Sequence, residues 1–283
     1  MGPEHRDQQM EQEQRALEEN IKNIRHKLVI LSGKGGVGKS TVAVNLAYGL
    51  ALQGRTVGIL DTDLHGPNIV KMVGLEGMPM AASSGGKLLP LEIHGIKVVS
   101  MASFLSDADS PVVWRGPLKM KAIQQFLAEV RWGALDYLLV DSPPGTGDEP
   151  LSVCQLIPHI DGVVVVTTPQ DVALLDSRKS VNFSRLLKVP VLGIIENMSG
   201  FACPHCGKQI ALFKSGGGER AARDLSVPFL GRVPIDPRIV TSGDDGRPFV
   251  YDYRETEAAR AMEEILRNIL QSVEGMSVPI NEK

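Results

Sequence analysis

Long apolar runs are missing from this 283-residue chain. No stretch approaches the ~20 apolar residues that a membrane-spanning helix needs. The first residues carry no apolar core of the kind a secretory signal requires, so the expected location is the cytoplasm. Net charge is also scarce: 30 Lys and Arg against 33 Asp and Glu leave −3, which argues against a chain that coats nucleic acid or membrane. Neither a basic surface nor a basic amphipathic tail is evident, so neither partner is expected. Aromatics are 5%, which leaves the core to Val, Ile, Leu and Ala. There are only three cysteines, too few and of the wrong parity for a disulfide framework.

The rest of the composition is that of a globular protein, 43% hydrophobic and 22% charged, with enough apolar residues for a sizeable core. Residues 1–26 form a polar, Gln/Glu-rich arm with Leu17, Ile21 and Ile24 at helical spacing, expected as a loosely docked helix or a frayed tail. Residues 27–283 are expected to form one domain. Strands are predicted at Leu28–Leu31, Val57–Leu60, Lys97–Ser100, Tyr137–Val140, Val163–Thr167 and Val191–Ile195, with a weaker seventh at Pro228–Leu230. Several are apolar at consecutive positions, as strands covered on both faces are. Their alternation with helix-length segments predicts a doubly wound α/β fold, a mostly parallel sheet with helices on both faces. Ligands of such folds gather beyond the carboxyl ends of the strands. The segment Gly77–His94 breaks the rhythm and is predicted to be a loop or small hairpin. Met262, Ile265, Leu266, Ile269, Leu270 and Val273 make one apolar stripe on a closing helix, with Glu257, Glu263, Glu264 and Arg267 off the stripe. Core packing, not membrane binding, is the expected use of that stripe.

Strand Leu28–Leu31 runs into Ser32-Gly33-Lys34-Gly35-Gly36-Val37-Gly38-Lys39-Ser40-Thr41, followed by a helix predicted over Val42–Leu52. This is G-x-x-x-x-G-K-[ST] in its required setting, after a strand and before a helix. Glycines let backbone N–H groups turn toward phosphate oxygens, and the helix N-terminus adds partial positive charge. Lys39 is placed for the β- and γ-phosphates and the Ser40 hydroxyl for Mg²⁺. Two more strands end in acid: Asp61-Thr62-Asp63 after Val57–Leu60, and Asp141 after Tyr137–Val140. Mg²⁺ keeps several waters and takes one or two carboxylates, so Asp141 is assigned to its outer shell. Gly145, in Ser142-Pro143-Pro144-Gly145-Thr146-Gly147-Asp148, is assigned as a hinge whose N–H meets the γ-phosphate. Cys203-Pro204-His205-Cys206-Gly207 has the shape of a metal knuckle. A tetrahedral zinc or a 4Fe–4S cluster wants four ligands, and no second Cys pair exists, because Cys154 stands alone on a helix predicted over Leu151–Leu156. Histidines, an outside molecule or a second copy of the chain must supply the remainder. A twofold dimer would bring two Cys203/Cys206 pairs together.

The lysine after the first loop glycine makes the sequence resemble the deviant-Walker ATPases, which include the partition and division ATPases and the nitrogenase iron protein. The resemblance sharpens to the Mrp/ApbC-type iron–sulfur carrier ATPases over Gly33–Thr41, Asp61–Asn68, Asp141–Asp148, Thr168–Asp176, Glu196–Cys206 and Val233–Pro248, from about Lys27 to Leu270. It implies an ATP-binding, slowly hydrolysing homodimer that passes a bridging 4Fe–4S cluster from a donor scaffold to apoproteins. By this resemblance Lys34 acts in trans on the partner's nucleotide, Asp63 orients the attacking water, and Asp61 organises the Mg²⁺ shell. Asn197 hydrogen-bonds adenine, and the loop holding Pro234 lines the purine. The arm lacks the N-terminal cysteines of the eukaryotic cytosolic scaffolds. The interface cysteines of the nitrogenase iron protein are not reproduced either, which argues against electron donation. Three alternatives stay open: a partition- or positioning-type ATPase, an ATPase with a structural zinc shared between subunits, and an idle cysteine pair. A thiol–disulfide oxidase motif is disfavoured, because it belongs on a thioredoxin-like fold.

Overall fold

The computed structural model describes residues 12, 14–63, 66–104, 116–203 and 205–276. Residues 1–11 and 13 of the polar arm, Leu64 and His65 of the Asp61–Asn68 stretch, residues 105–115, Pro204 of the knuckle and residues 277–283 lie outside them.

Among the described residues the strands are β1 (Ile24–Ser32), β2 (Val57–Asp61), β3 (Leu91–Ile93), β4 (Ile96–Ser100), β5 (Leu135–Asp141), β6 (Gly162–Thr167), β7 (Val191–Glu196), β8 (Phe201–Ala202), β9 (Gln209–Ile210) and β10 (Phe229–Arg232). Beyond a helical segment over 14–21, the helices described are α1 (Lys39–Leu52), α2 (Ile69–Met72), α3 (Gly116–Glu129), α4 (Asp148–Leu156), α5 (Asp171–Leu186), α6 (Gly217–Asp224), α7 (Pro237–Asp244), α8 (Phe249–Asp252) and α9 (Glu257–Met276). Eight strands form one sheet in the order β10-β7-β6-β1-β5-β2-β4-β3, parallel except at β3, and β8 and β9 form a separate hairpin.

Alternate residues of β1 enter different cores. Leu28 and Ile30 of β1 face one core with α1, α2, α8 and α9. Val29 and Leu31 face the other with α3, α4, α5 and α6. Every residue of β6 is buried, so the period-2 alternation vanishes from its sequence and leaves a run of valines. The stripe on α9 packs as expected: Met262, Ile265, Leu266, Ile269 and Val273 are buried in the first core, with Leu270 partly buried against it.

Several boundaries differ from expectation. Helix α1 starts at Lys39, inside the glycine-rich loop, because Gly38 is itself the N-cap. The last sheet strand is Phe229–Arg232, which starts one residue and ends two residues beyond the predicted Pro228–Leu230. The end of the predicted Gly77–His94 loop becomes β3, which pairs antiparallel with β4 around His94 and Gly95, and an antiparallel bridge joins Ala82 to Leu88. The arm is not loosely docked. Leu17 and Ile21, on a helical segment over 14–21, are buried against α3, and Ile24 is already strand. Asn20 Nδ2 donates to the carbonyls of Leu127 and Val130, both at 2.7 Å, which closes the end of α3 with side-chain donors.

Candidate functional site

The carboxyl ends of β1, β2, β5, β6 and β7 put Ser32, Asp61, Asp141, Thr167 and Glu196 along one edge of the sheet. Between β1 and α1 the loop turns through Gly38, whose φ of +81° is left-handed and free of strain only for glycine. A Cβ there would also lie 2.3 Å from Asn197 Nδ2. At Gly33 a Cβ would lie 2.2 Å from the Asp176 carbonyl carbon, so α5 packs directly on the start of the loop. Lys34, residues 35–41, Asp63, Asn68 and Pro144 surround a recess of about 190 Å³. The Lys34 ammonium makes no hydrogen bond or ion pair among the described residues, and its backbone carbonyl accepts from Ser32 Oγ at 3.0 Å.

Beneath the recess is a buried polar knot. Lys39 Nζ donates to Asp141 Oδ1 at 2.6 Å, and Ser40 Oγ donates to Asp141 Oδ2 at 2.6 Å. Asp61 stands in register with Asp141 on the neighbouring strand. Its Oδ1 accepts from Asp63 N–H at 3.1 Å, and its Oδ2 accepts from Ser100 Oγ at 3.0 Å and Ile69 N–H at 3.4 Å. Both carboxyls are fully buried, and burial raises their pKa values. Asp61, with the Asp141 charge beside it and Lys39 only partly offsetting the two effects, is pushed up to about 8. A cluster of two buried acids, one lysine and one hydroxyl is short of positive charge, and a divalent cation beside Ser40 and Asp141 would supply it. Asp63 Oδ1 accepts from Gly66 N–H at 3.2 Å, at the rim of the recess.

The Gly145 N–H donates to the Ser32 carbonyl at 2.8 Å. The Pro143–Gly145 stretch is thereby tied to the end of β1. Any contact of that N–H with a phosphate first breaks this bond.

A cavity of about 530 Å³ continues from the recess past Gly38 and Thr41, in the size range of small-molecule sites. Asn197 and Pro234 line it. The Asn197 side chain also does something sequence reasoning missed: its Nδ2 donates to the Val37 carbonyl at 2.9 Å, fixing the phosphate loop. Met198, Phe213, Ile235 and Phe249 add apolar walls, of which Phe213 and Phe249 lie outside every motif singled out in the sequence.

Cys203 and Cys206 lie away from the recess, on the turn joining β8 to β9. Cys203 N–H donates to the Lys208 carbonyl at 3.0 Å, and Gly207 N–H to the Cys203 carbonyl at 2.8 Å. The backbone N–H groups of His205 and Cys206 point at the Cys203 sulfur and, with the Cys206 thiol, hold its pKa below the ordinary thiol value. Cys206 is exposed. Among the described residues no group of three or more His, Cys, Asp or Glu side chains is arranged to hold a metal. A tetrahedral centre on this pair would need two further ligands. Cys154 is buried on α4, and burial pushes its thiol up to about 11, which makes it a poor ligand. Among the described residues no helix is long and apolar enough to cross a membrane.

Comparison with known proteins agrees with this geometry. An iron–sulfur cluster carrier protein of Methanocaldococcus jannaschii is 51% identical over 93% of this chain and 90% of its own length. One from Saccharolobus solfataricus is 46% identical over 90% and 86%. A nucleotide-binding protein from Archaeoglobus fulgidus, solved in complex with ADP, is 40% identical with a TM-score of 0.75, covering 84% of this chain and 93% of that one. The septum site-determining protein MinD of Pyrococcus horikoshii, at 22% identity, a TM-score of 0.65 and coverage of 91% and 100%, shares the fold. The model of the NUBPL iron-transfer P-loop NTPases, within the ParA group, matches residues 23–270, and this chain belongs to that family.

Proposed function

We propose that the chain binds ATP with Mg²⁺, hydrolyses it slowly and carries a 4Fe–4S cluster to apoproteins, the cluster being held between two copies by Cys203 and Cys206 of each. The carrier assignment is supported by the named function of relatives up to 51% identical over nearly the whole chain. The observation that carries the bridged form is the geometry of the thiol pair. Two sulfurs lie on one tight turn, one of them stabilised as thiolate by two N–H groups, with no third ligand gathered around them among the described residues. A four-ligand centre on such a half-site needs a second half, and a twofold dimer supplies an identical one.

In this reading Gly33, Gly35, Gly36, Val37, Gly38 and Thr41 wrap the phosphates with backbone N–H groups. Lys39 neutralises the β- and γ-phosphates, and Ser40, Asp141 and Asp61 serve the Mg²⁺ shell, which supplies further positive charge to the transferring phosphoryl group. Lys34 reaches the partner's nucleotide, as its unpaired ammonium permits, and Asp63 orients the water. Gly145 reports the γ-phosphate by exchanging its bond to Ser32 for one to phosphate. Asn197 and Pro234 hold the base. No side chain here is a strong general base, so positioning and charge stabilisation carry hydrolysis.

Anaerobic reconstitution with iron and sulfide tests the cargo assignment. The wild type is expected to develop the brown 4Fe–4S absorption, and Cys203→Ala and Cys206→Ala are each expected to lose it. A centre that survives both substitutions refutes the assignment, and zinc without acid-labile sulfide in protein purified without oxygen favours the structural-metal alternative.

A further inference from the structure

Glu196 has no role in the site as derived so far, yet it is fully buried at the end of β7 beside Asn197. Its Oε1 accepts from Ser199 Oγ and from Gly216 N–H, the latter at 2.9 Å, and its Oε2 accepts from Gly218 N–H in the first turn of α6. Ser199 Oγ lies 3.1 Å from Ser215 Oγ. One carboxylate therefore gathers both ends of the excursion that contains β8, the cysteine turn and β9. The same excursion is a wall of the large cavity: Met198 before the cysteines and Phe213 after them both line it. Ile235, another wall residue, donates its N–H to the Gly200 carbonyl at 2.8 Å, and a parallel bridge joins it to Phe201. On the other side, Asn197 holds the phosphate loop at Val37.

We infer that Glu196 is a positioning residue for the cysteine pair, clamping the excursion to the cavity wall so that nucleotide in the cavity changes the setting of Cys203 and Cys206. The inference rests on the proposed function only in taking Cys203 and Cys206 as metal ligands. Three hydrogen bonds converge on Glu196; partners bonded directly to a metal ligand change metal affinity by about 10–100-fold, and a clamp acting through the intervening chain is expected at the low end of that range. Glu196→Gln keeps the shape but replaces one acceptor with an NH₂ facing a donor.

The test uses the full chain and Co²⁺ alone as probe, read anaerobically by the thiolate-to-cobalt absorption band, with and without ATP. The wild type is expected to bind Co²⁺ through Cys203 and Cys206, with a band that ATP alters. Glu196→Gln is expected to weaken Co²⁺ binding on the order of 10-fold and to abolish the ATP response, while the affinity for a fluorescent ATP analogue stays within about twofold, an invariance that a merely unfolded site would not show. If circular dichroism shows that Glu196→Gln does not fold, Ser199→Ala, which deletes a single donor, carries the same expectation. Wild-type Co²⁺ affinity and ATP response in the variant, or no ATP response in the wild type, overturn the inference alone. A band that persists in the Cys203→Ala, Cys206→Ala double variant overturns the ligand assignment beneath it.

Discussion

Asp61 stabilises the site's chemistry at the expense of the fold, and Asp61→Asn separates the two. The carboxyl is fully buried one strand away from Asp141, and its pKa rises from the ordinary value near 4 to about 8. The native state therefore holds the proton more tightly than the unfolded chain, and stability falls as pH climbs between those values. At about 1.4 kcal/mol per pH unit, the ceiling at pH 8 is about 6 kcal/mol. Asp61 and Asp141 titrate together and share protons, so the expected penalty is about 2–3 kcal/mol. Asparagine removes the charge and keeps acceptance from Asp63 N–H, but turns an NH₂ toward Ser100 and Ile69 N–H, at a cost of about 1 kcal/mol. The variant is thus expected to gain about 1–2 kcal/mol at pH 8 and to lose about 1 kcal/mol at pH 4, with a shallower fall between than in the wild type, because buried Asp141 still contributes its own. Urea unfolding of nucleotide-free protein with chelator, at pH 4, 6 and 8, measures this. A variant less stable than wild type at pH 8, or one with the wild-type pH slope, refutes the reasoning. Mg²⁺-dependent hydrolysis by the same variant is expected to drop at least tenfold.

Lys34→Ala is expected to lower steady-state hydrolysis on the order of 10²-fold or more, while ATP affinity measured by fluorescence changes less than about threefold, because in the proposed function the lysine serves the transition state of the partner's nucleotide. Gly38→Ala meets both a left-handed φ and Asn197 Nδ2 at 2.3 Å, so nucleotide affinity should fall at least tenfold by calorimetry, with about 1–3 kcal/mol of lost stability. Leu17→Ala, in the polar arm, should cost about 2–4 kcal/mol in urea unfolding, since the side chain is fully buried; a loss below about 0.5 kcal/mol would mean that the arm is not docked.

The central strands were legible because burial on both faces writes itself as consecutive β-branched residues, as in Val163–Val166. The phosphate loop and the acids after β2 and β5 were legible because phosphate and Mg²⁺ chemistry restricts residue type at fixed places on the sheet edge. Three residues, Leu91–Ile93, carry too little pattern to announce β3; only their pairing with β4 makes them a strand. The apolar spacing of Leu17 and Ile21 was visible, but nothing local to them states that α3 offers a complementary face. Gly145 shows the limit at single-atom level, because which acceptor its N–H meets depends on where β1 ends. Glu196 was hidden for the same reason: its three donors come from residues up to 22 positions away.

Native mass spectrometry of the anaerobically reconstituted protein, with ATP present, tests the bridged half-site most directly. The expected species is two chains carrying one 4Fe–4S cluster, absent from the Cys203→Ala variant. A single chain retaining a whole cluster would contradict it.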